Sequence, residues 1–159
     1  MNPRTAYILG LATALPVLAL DQLSKHWLLA LLDYGRNPDI TVSGFFNLVM
    51  VWNHGVSFGL FSEHRQPYVL IAVALAMVAF LLGWLRRAED RWVAVAIGLV
   101  VGGALGNVIG RLRFGAVADF FDFHVMGFHW PAFNIADSCI FIGVVVLCIH
   151  SMVVKTPAK

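Results

Sequence analysis

The sequence predicts a membrane-embedded, all-α bundle of four transmembrane helices that carries a small extracytoplasmic β-rich lobe. Three observations lead there. Hydrophobic residues fill 60% of the 159 positions and charged residues 13%, with a mean hydropathy of +0.80, against about 45–50% apolar in soluble domains. Several uncharged runs approach the roughly 20 residues that a bilayer core demands at 1.5 Å rise per residue. Between the first two runs lies one stretch of strand character.

The first span covers about residues 5–32. Its apolar run from Tyr7 to Leu20 is interrupted by DQLSK and resumes with HWLLALL. A cleaved signal peptide is the competing reading, because Arg4 precedes the run and Val17 and Ala19 suit a weak cleavage site. Apolar sequence continues past that point, which favours a span. Next, about residues 36–65, comes DITVSGFFNLVMVWNHGVSFGLF. It is rich in β-branched and aromatic residues with Gly44 and NHG as turn signals, hence the β-rich lobe. Phe45, Phe46, Trp52, Phe58 and Phe61 suit the membrane interface, where aromatic rings concentrate.

Three further spans follow at about 67–85, 92–110 and 133–154. The second has no charged residue, the third has only Asn107 as a strongly polar side chain, and the fourth has Asp137 as its one acid. Gly98, Gly102 and Gly106 recur every four residues in the third span, the spacing of close helix packing. The whole chain, 1–159, reads as one membrane-embedded unit.

Basic residues fix an expected orientation. Arg4, the trio Arg86, Arg87 and Arg91, and Lys155 and Lys159 flank the spans on one side, which the positive-inside rule makes cytoplasmic. Both termini are then inside. The connections at about 33–66 and 110–132 face outward, although they hold Arg36, Arg65, Arg111 and Arg113.

Other function classes fall away. A net charge of +2 with scattered basic residues gives no basis for a nucleic-acid partner. Cys139 and Cys148 are nine apart in one span, about 13 Å along a helix, too far for a disulfide. His26, His54, His64, His124, His129 and His150 are dispersed without a metal-ligand spacing, so no metal or cofactor is expected.

Polar residues gather at the outer ends of the spans. Asp21 and Lys25 end the first, Asn107 and Arg111 the third, Asn134 and Asp137 open the fourth, and Asp119 lies in the loop before it. A charge at bilayer depth costs about 2.5–3.5 kcal/mol, so a cluster of them points to a site. Spacings of three or four put each pair on one helix face. Each pair also has a plain structural reading. Asp21 and Lys25 make an intrahelical ion pair, Asn107 and Asn134 act as interhelical hydrogen-bonding glue, and Asn134 caps the fourth helix with Asp137 in its first turn.

Five blocks, LDQLSK, WNHGVSFGLF, GGALGNVIGR, VADFFDF and PAFNIADS, in that order, resemble the lipoprotein signal peptidase (type II signal peptidase) family of bacteria. The resemblance covers nearly the whole chain. It implies a four-helix aspartic endopeptidase of the inner membrane with an outer β-cradle, active toward the outer face. Such an enzyme cuts diacylglyceryl-modified prolipoproteins just before the lipidated cysteine. Its catalytic pair carries over to Asp119 and Asp137, with support from Asp21, Lys25, Asn53, Gly55, Asn107, Arg111 and Asn134. Membrane lipids are expected partners, and the expected state is a monomer. One position departs from the family pattern: Gly110 stands where an acid often precedes the arginine, which leaves Asp122 or Asp119 to pair with Arg111. The alternative reading from another class is a transporter subunit or cofactor anchor in which Asp119 and Asp137 relay protons.

Overall fold

The computed structural model describes residues 1–55 and 67–153. Four long helices are built as the apolar runs predict: α1 (Pro3–Leu31), α2 (Pro67–Leu85), α3 (Arg91–Phe114) and α4 (Ile135–Val153). All four are long and apolar enough to cross a membrane. Local signals set their ends. The Asn2 side chain accepts from the Arg4 amide with Pro3 at the first helical position, and Asp90 Oδ1 accepts from the amides of Trp92 and Val93 at 2.7 and 3.2 Å. These are N-caps that satisfy otherwise orphaned donors. At the far end of α3, Gly115 adopts φ 70 and donates to the Arg111 carbonyl, a left-handed C-cap.

α3 is the centre of the bundle. Within its most apolar stretch 72% of residues are buried, against 28% or less in the other three helices, whose outward faces are apolar. That inversion suits a lipid solvent, which gives apolar side chains no reason to leave the surface. Association instead needs close backbone approach, and glycine provides it. A Cβ at Gly102 would lie 2.6 Å from the Ala14 carbonyl of α1, and one at Gly103 would lie 2.5 Å from the Ala136 carbonyl of α4. Gly98, Gly102 and Gly106 all face α1, which bears out the packing reading of that spacing.

α3 runs one turn beyond the expected boundary, so Arg111 is helical. Beyond it the chain does not form the loop that the sequence suggested. Residues Val117–Val125 form strand β3, and Phe128–His129 form β4. With β1 (Ile40–Ser43) and β2 (Phe46–Asn53) they make an antiparallel sheet in the order β1-β2-β3-β4. The β-rich lobe is thus built from both of the connections expected to face outward rather than from the first alone. Residues 56–65 of the expected lobe, with Phe58 and Phe61, lie outside the described residues. β2 pairs β3 from Phe46 opposite Phe123 to Asn53 opposite Val117, with a bulge between Leu48 and Val51. This register carries Asp119 on β3 to the end of the bundle, beside the start of α4.

Candidate active site

The first turn of α4 organises the site. Asn134 is its N-cap: Oδ1 accepts from the Asp137 amide at 3.0 Å, and Asp137 Oδ2 accepts in return from the Asn134 amide at 3.2 Å. This is a reciprocal capping box with an aspartate in the usual glutamate position. The capping function that the sequence suggested for Asn134 and Asp137 is therefore real, and it does not exhaust them. Asn134 Nδ2 reaches out of the cap to donate to Asp119 Oδ1 at 2.6 Å, while Asp137 Oδ1 accepts from Asn107 Nδ2 at 2.8 Å. One asparagine thus ties both carboxyl groups together.

The remaining members join this core in two arms. On the helix side, Lys25 Nζ donates to Asn107 Oδ1 at 3.0 Å and pairs with Asp21 Oδ2 at 2.9 Å, both residues being buried. The ion pair is present as expected, but it also reaches across to α3. Asp21 Oδ1 accepts from the Ala136 amide of α4 at 3.1 Å, placing a negative charge at a helix N-terminus. On the sheet side, Asn53 Nδ2 donates to Asp119 Oδ2 at 3.0 Å, and Asn53 Oδ1 accepts from the Gly55 amide at 3.1 Å. Arg111 Nη2 donates to the Gly55 carbonyl at 3.3 Å. All nine residues singled out in the sequence therefore belong to one connected hydrogen-bond network.

The surroundings of the two carboxyl groups bear on their charge. Each of the four carboxylate oxygens accepts from a neutral amide, and no cation bonds either carboxyl group directly among the described residues. Asp119 is 1% exposed. Burial first, and the nearby Asp137 charge second, push its carboxyl up to about 7, against the opposing bonds from Asn53 and Asn134. Two carboxyl groups that share a site cannot both ionise cheaply, so this arrangement retains one proton near neutral pH.

Three points depart from the sequence reading. Asp122 is not the partner of Arg111. It accepts from Asn47 Nδ2 at 2.9 Å, and both its oxygens lie 2.9 Å from His129 Nδ1, because it projects from the opposite face of β3 to Asp119. Gly110 packs against the chain that follows α3. A Cβ there meets Ala116 and Val117, and the position borders a cavity of about 20 Å³ that Gln22, Lys25, His26 and Arg113 also line. Arg111 hydrogen-bonds a backbone carbonyl, and of the two acids considered only Asp119, together with Asp137, acts on its charge. The sequence reading also overlooked Gln22, whose Nε2 donates to Asp21 Oδ2 at 2.9 Å and to the Gly106 carbonyl at 3.2 Å. Its position as an uncharged polar residue inside a span was the signal that could have found it.

Comparison with known proteins identifies the family. A family profile described as Signal peptidase (SPase) II matches residues 13–153. A lipoprotein signal peptidase of Methylorubrum extorquens (strain PA1) is 46% identical over 150 residues, 93% of this chain and 88% of that protein. One from Methylobacterium sp. (strain 4-46) is 43% identical over 147 residues, 91% and 89% of the two. A solved bacterial membrane enzyme superposes with a TM-score of 0.82 at 27% identity, covering 94% of this chain and 93% of its own. Four helices able to cross a membrane, a small antiparallel sheet and a match over most of the length place this multi-pass membrane protein in the signal peptidase II family of peptidases.

Proposed function

We propose that this peptidase is of the aspartic type, with Asp119 and Asp137 as its catalytic pair, and that it releases signal peptides from diacylglyceryl-modified prolipoproteins. The observation that carries the reading is the bridging of two carboxyl groups by Asn134, with neutral amide donors on all four of their oxygens among the described residues. A pair held this way keeps one proton and one charge, which is what hydrolysis of an amide requires. Asp119, the acid pushed up to about 7, holds the proton and directs it at the scissile carbonyl oxygen. Asp137 takes a proton from the attacking water as the new C–O bond forms. As the tetrahedral intermediate collapses, the C–N bond breaks and the Asp119 proton passes to the leaving amine of the lipidated cysteine. Asp137 then holds the proton, and its return to Asp119 resets the pair.

The other network residues position this chemistry. Asn107 and Asn134 aim the carboxyl groups, Asp21 and Lys25 lock α1 against α3 and α4, and Arg111 holds the Gly55 carbonyl. The protein works as a monomer in the bacterial inner membrane, in contact with lipid, with both termini in the cytoplasm and the pair toward the outer face. The arginines around the α2–α3 link support that orientation.

A lipidated synthetic precursor and the purified protein test the reading. Asp119→Asn and Asp137→Asn are each expected to lower turnover by about 10³-fold or more, a barrier rise of about 4 kcal/mol, while the proteins still accumulate. Cleavage by either variant near the wild-type rate refutes the assignment. Orientation is checked with single cysteines at Thr41 and Glu89, in a background lacking Cys139 and Cys148. An impermeant thiol reagent should label 41 alone in intact cells.

A further inference from the structure

The turn between β3 and β4 breaks a local rule. Val125 opposite Phe128 encloses the two residues Met126 and Gly127, whose φ values of 48 and 81 are both positive, as in a type I′ hairpin turn. The first position of such a turn favours Asn, Asp or Gly. Methionine there gains nothing for the fold, and its side chain is fully exposed, at 103%. A residue that contradicts its local conformation without a compensating contact marks a requirement from outside the fold.

The surrounding residues say what that requirement is. Side chains alternate along β3, so Asp119, Phe121, Phe123 and Val125 share one face, and Asp119 on that face meets the start of α4. Across the ladder, the Trp130 amide donates to the Phe123 carbonyl at 2.8 Å, which sets Phe128 and Trp130 on the same face as Val125. These three are 67%, 61% and 63% exposed. On the opposite face Asp122 contacts His129, and the rings of His124 and His129 stack with centroids 4.9 Å apart. The hairpin is an amphipathic ribbon whose apolar side looks the same way as the strand face that meets the end of the bundle. The chain from Val125 to Phe133 carries no Asp, Glu, Lys or Arg. Five residues after Trp130, at most about 17 Å of chain, it enters α4, a helix able to cross the bilayer.

We propose that the β3–β4 hairpin is a membrane wedge, with Val125, Met126, Phe128 and Trp130 seated in the interfacial zone of the lipid bilayer beside the outer end of α4. A tryptophan and an amphipathic ribbon suit that zone, where one side is apolar and the other wet. The contact is continuous with the spans themselves, and it holds the Asp119 strand at a fixed height over the start of α4. The inference rests on the multi-pass membrane reading and not on the peptidase chemistry.

Depth measurement tests it. The full-length protein lacking Cys139 and Cys148 receives a single nitroxide-labelled cysteine at Met126, Phe128 or Thr41 and is reconstituted alone into phosphatidylethanolamine–phosphatidylglycerol vesicles. Thr41 is exposed and pairs with Asn47, on the Asp122 face of the sheet, so it serves as the aqueous reference. Labels at 126 and 128 should collide with oxygen several-fold more often than with a water-soluble nickel chelate, and the label at 41 should show the reverse. Phe128→Asp should raise chelate collisions at 126 several-fold. If 126 and 128 are as open to the chelate as 41, the wedge is refuted and the apolar face belongs to a protein partner. No change at 126 on Phe128→Asp equally overturns the ribbon as the anchored unit. Because the readout is depth, its failure leaves the turnover of the aspartate variants untouched.

Discussion

Asn134 performs two tasks that a pair of substitutions can separate. Asn134→Ser keeps a side-chain oxygen able to cap α4 but loses the Nδ2 donor that lies 2.6 Å from Asp119 Oδ1. Asn134→Ala loses both. The cap contributes about 1 kcal/mol, so thermal unfolding in detergent should fall clearly for alanine and little for serine. A hydrogen bond to a charged group contributes about 1.5–3 kcal/mol, which in a transition state is roughly 10- to 150-fold in rate. Both variants should lose turnover to about that extent. The pH dependence adds a sign. The wild-type alkaline limb is expected near the Asp119 value of about 7, because deprotonation of the pair ends catalysis, with the apparent value belonging to the pair. The Asn134 bond favours the ionised carboxylate, so its removal raises the Asp119 value and the limb moves to higher pH. Pre-steady-state turnover of the lipidated precursor across pH 5 to about 9 measures this. A limb that moves down, or a serine variant as unstable as the alanine one, refutes the division of roles.

Other substitutions probe the surroundings. Gly106→Ala should destabilise the protein by about 1–3 kcal/mol in detergent unfolding, because the new Cβ lies 2.9 Å from Asp21 Cγ, and that carboxylate is pinned by Lys25, Gln22 and the Ala136 amide. Asp122→Asn should leave turnover unchanged, since its contacts are Asn47 and His129 and not Arg111. With His129 55% exposed, its cost in stability should stay below about 1 kcal/mol. The Asp122 carboxyl lies below its ordinary value: burial works to raise it, but the bonds from Asn47 and His129 outweigh that. Its contribution is therefore present at neutral pH and lost as pH falls through the lowered value, in acid. A Cys139→Ala, Cys148→Ala variant should keep its activity and be insensitive to a strong chelator, measured in the same cleavage assay.

Much of the site was legible because intramembrane polar residues are costly and so stand out. Asp21, Lys25, Asn107, Asn134 and Asp137 were visible as exceptions in apolar runs, and their spacing gave their faces. The sheet was only half legible. In VADFFDFHV, Phe120 is buried on one face while Phe121 and Phe123 pack in an aromatic cluster on the other, so the period-2 alternation that reveals a half-exposed strand is missing. The hydrogen-bond partner of Arg111 was not legible. A backbone carbonyl, such as that of Gly55, leaves no mark in the identity of its residue, and a search for charge complementarity turned to Asp122 or Asp119 instead.

The glycine stripe of α3 bears on how the protein responds to heat. Where helices part within a bilayer, the backbone surfaces of Gly98, Gly102 and Gly106 that press on α1 become exposed to acyl chains and not to water. The large heat capacity of soluble-protein unfolding comes from hydrating apolar surface, about 12–15 cal/mol/K per residue, and that hydration does not occur here. Separation of α1 from α3 should accordingly carry a near-constant enthalpy, with a stability that declines almost linearly on warming and shows no weakening in the cold.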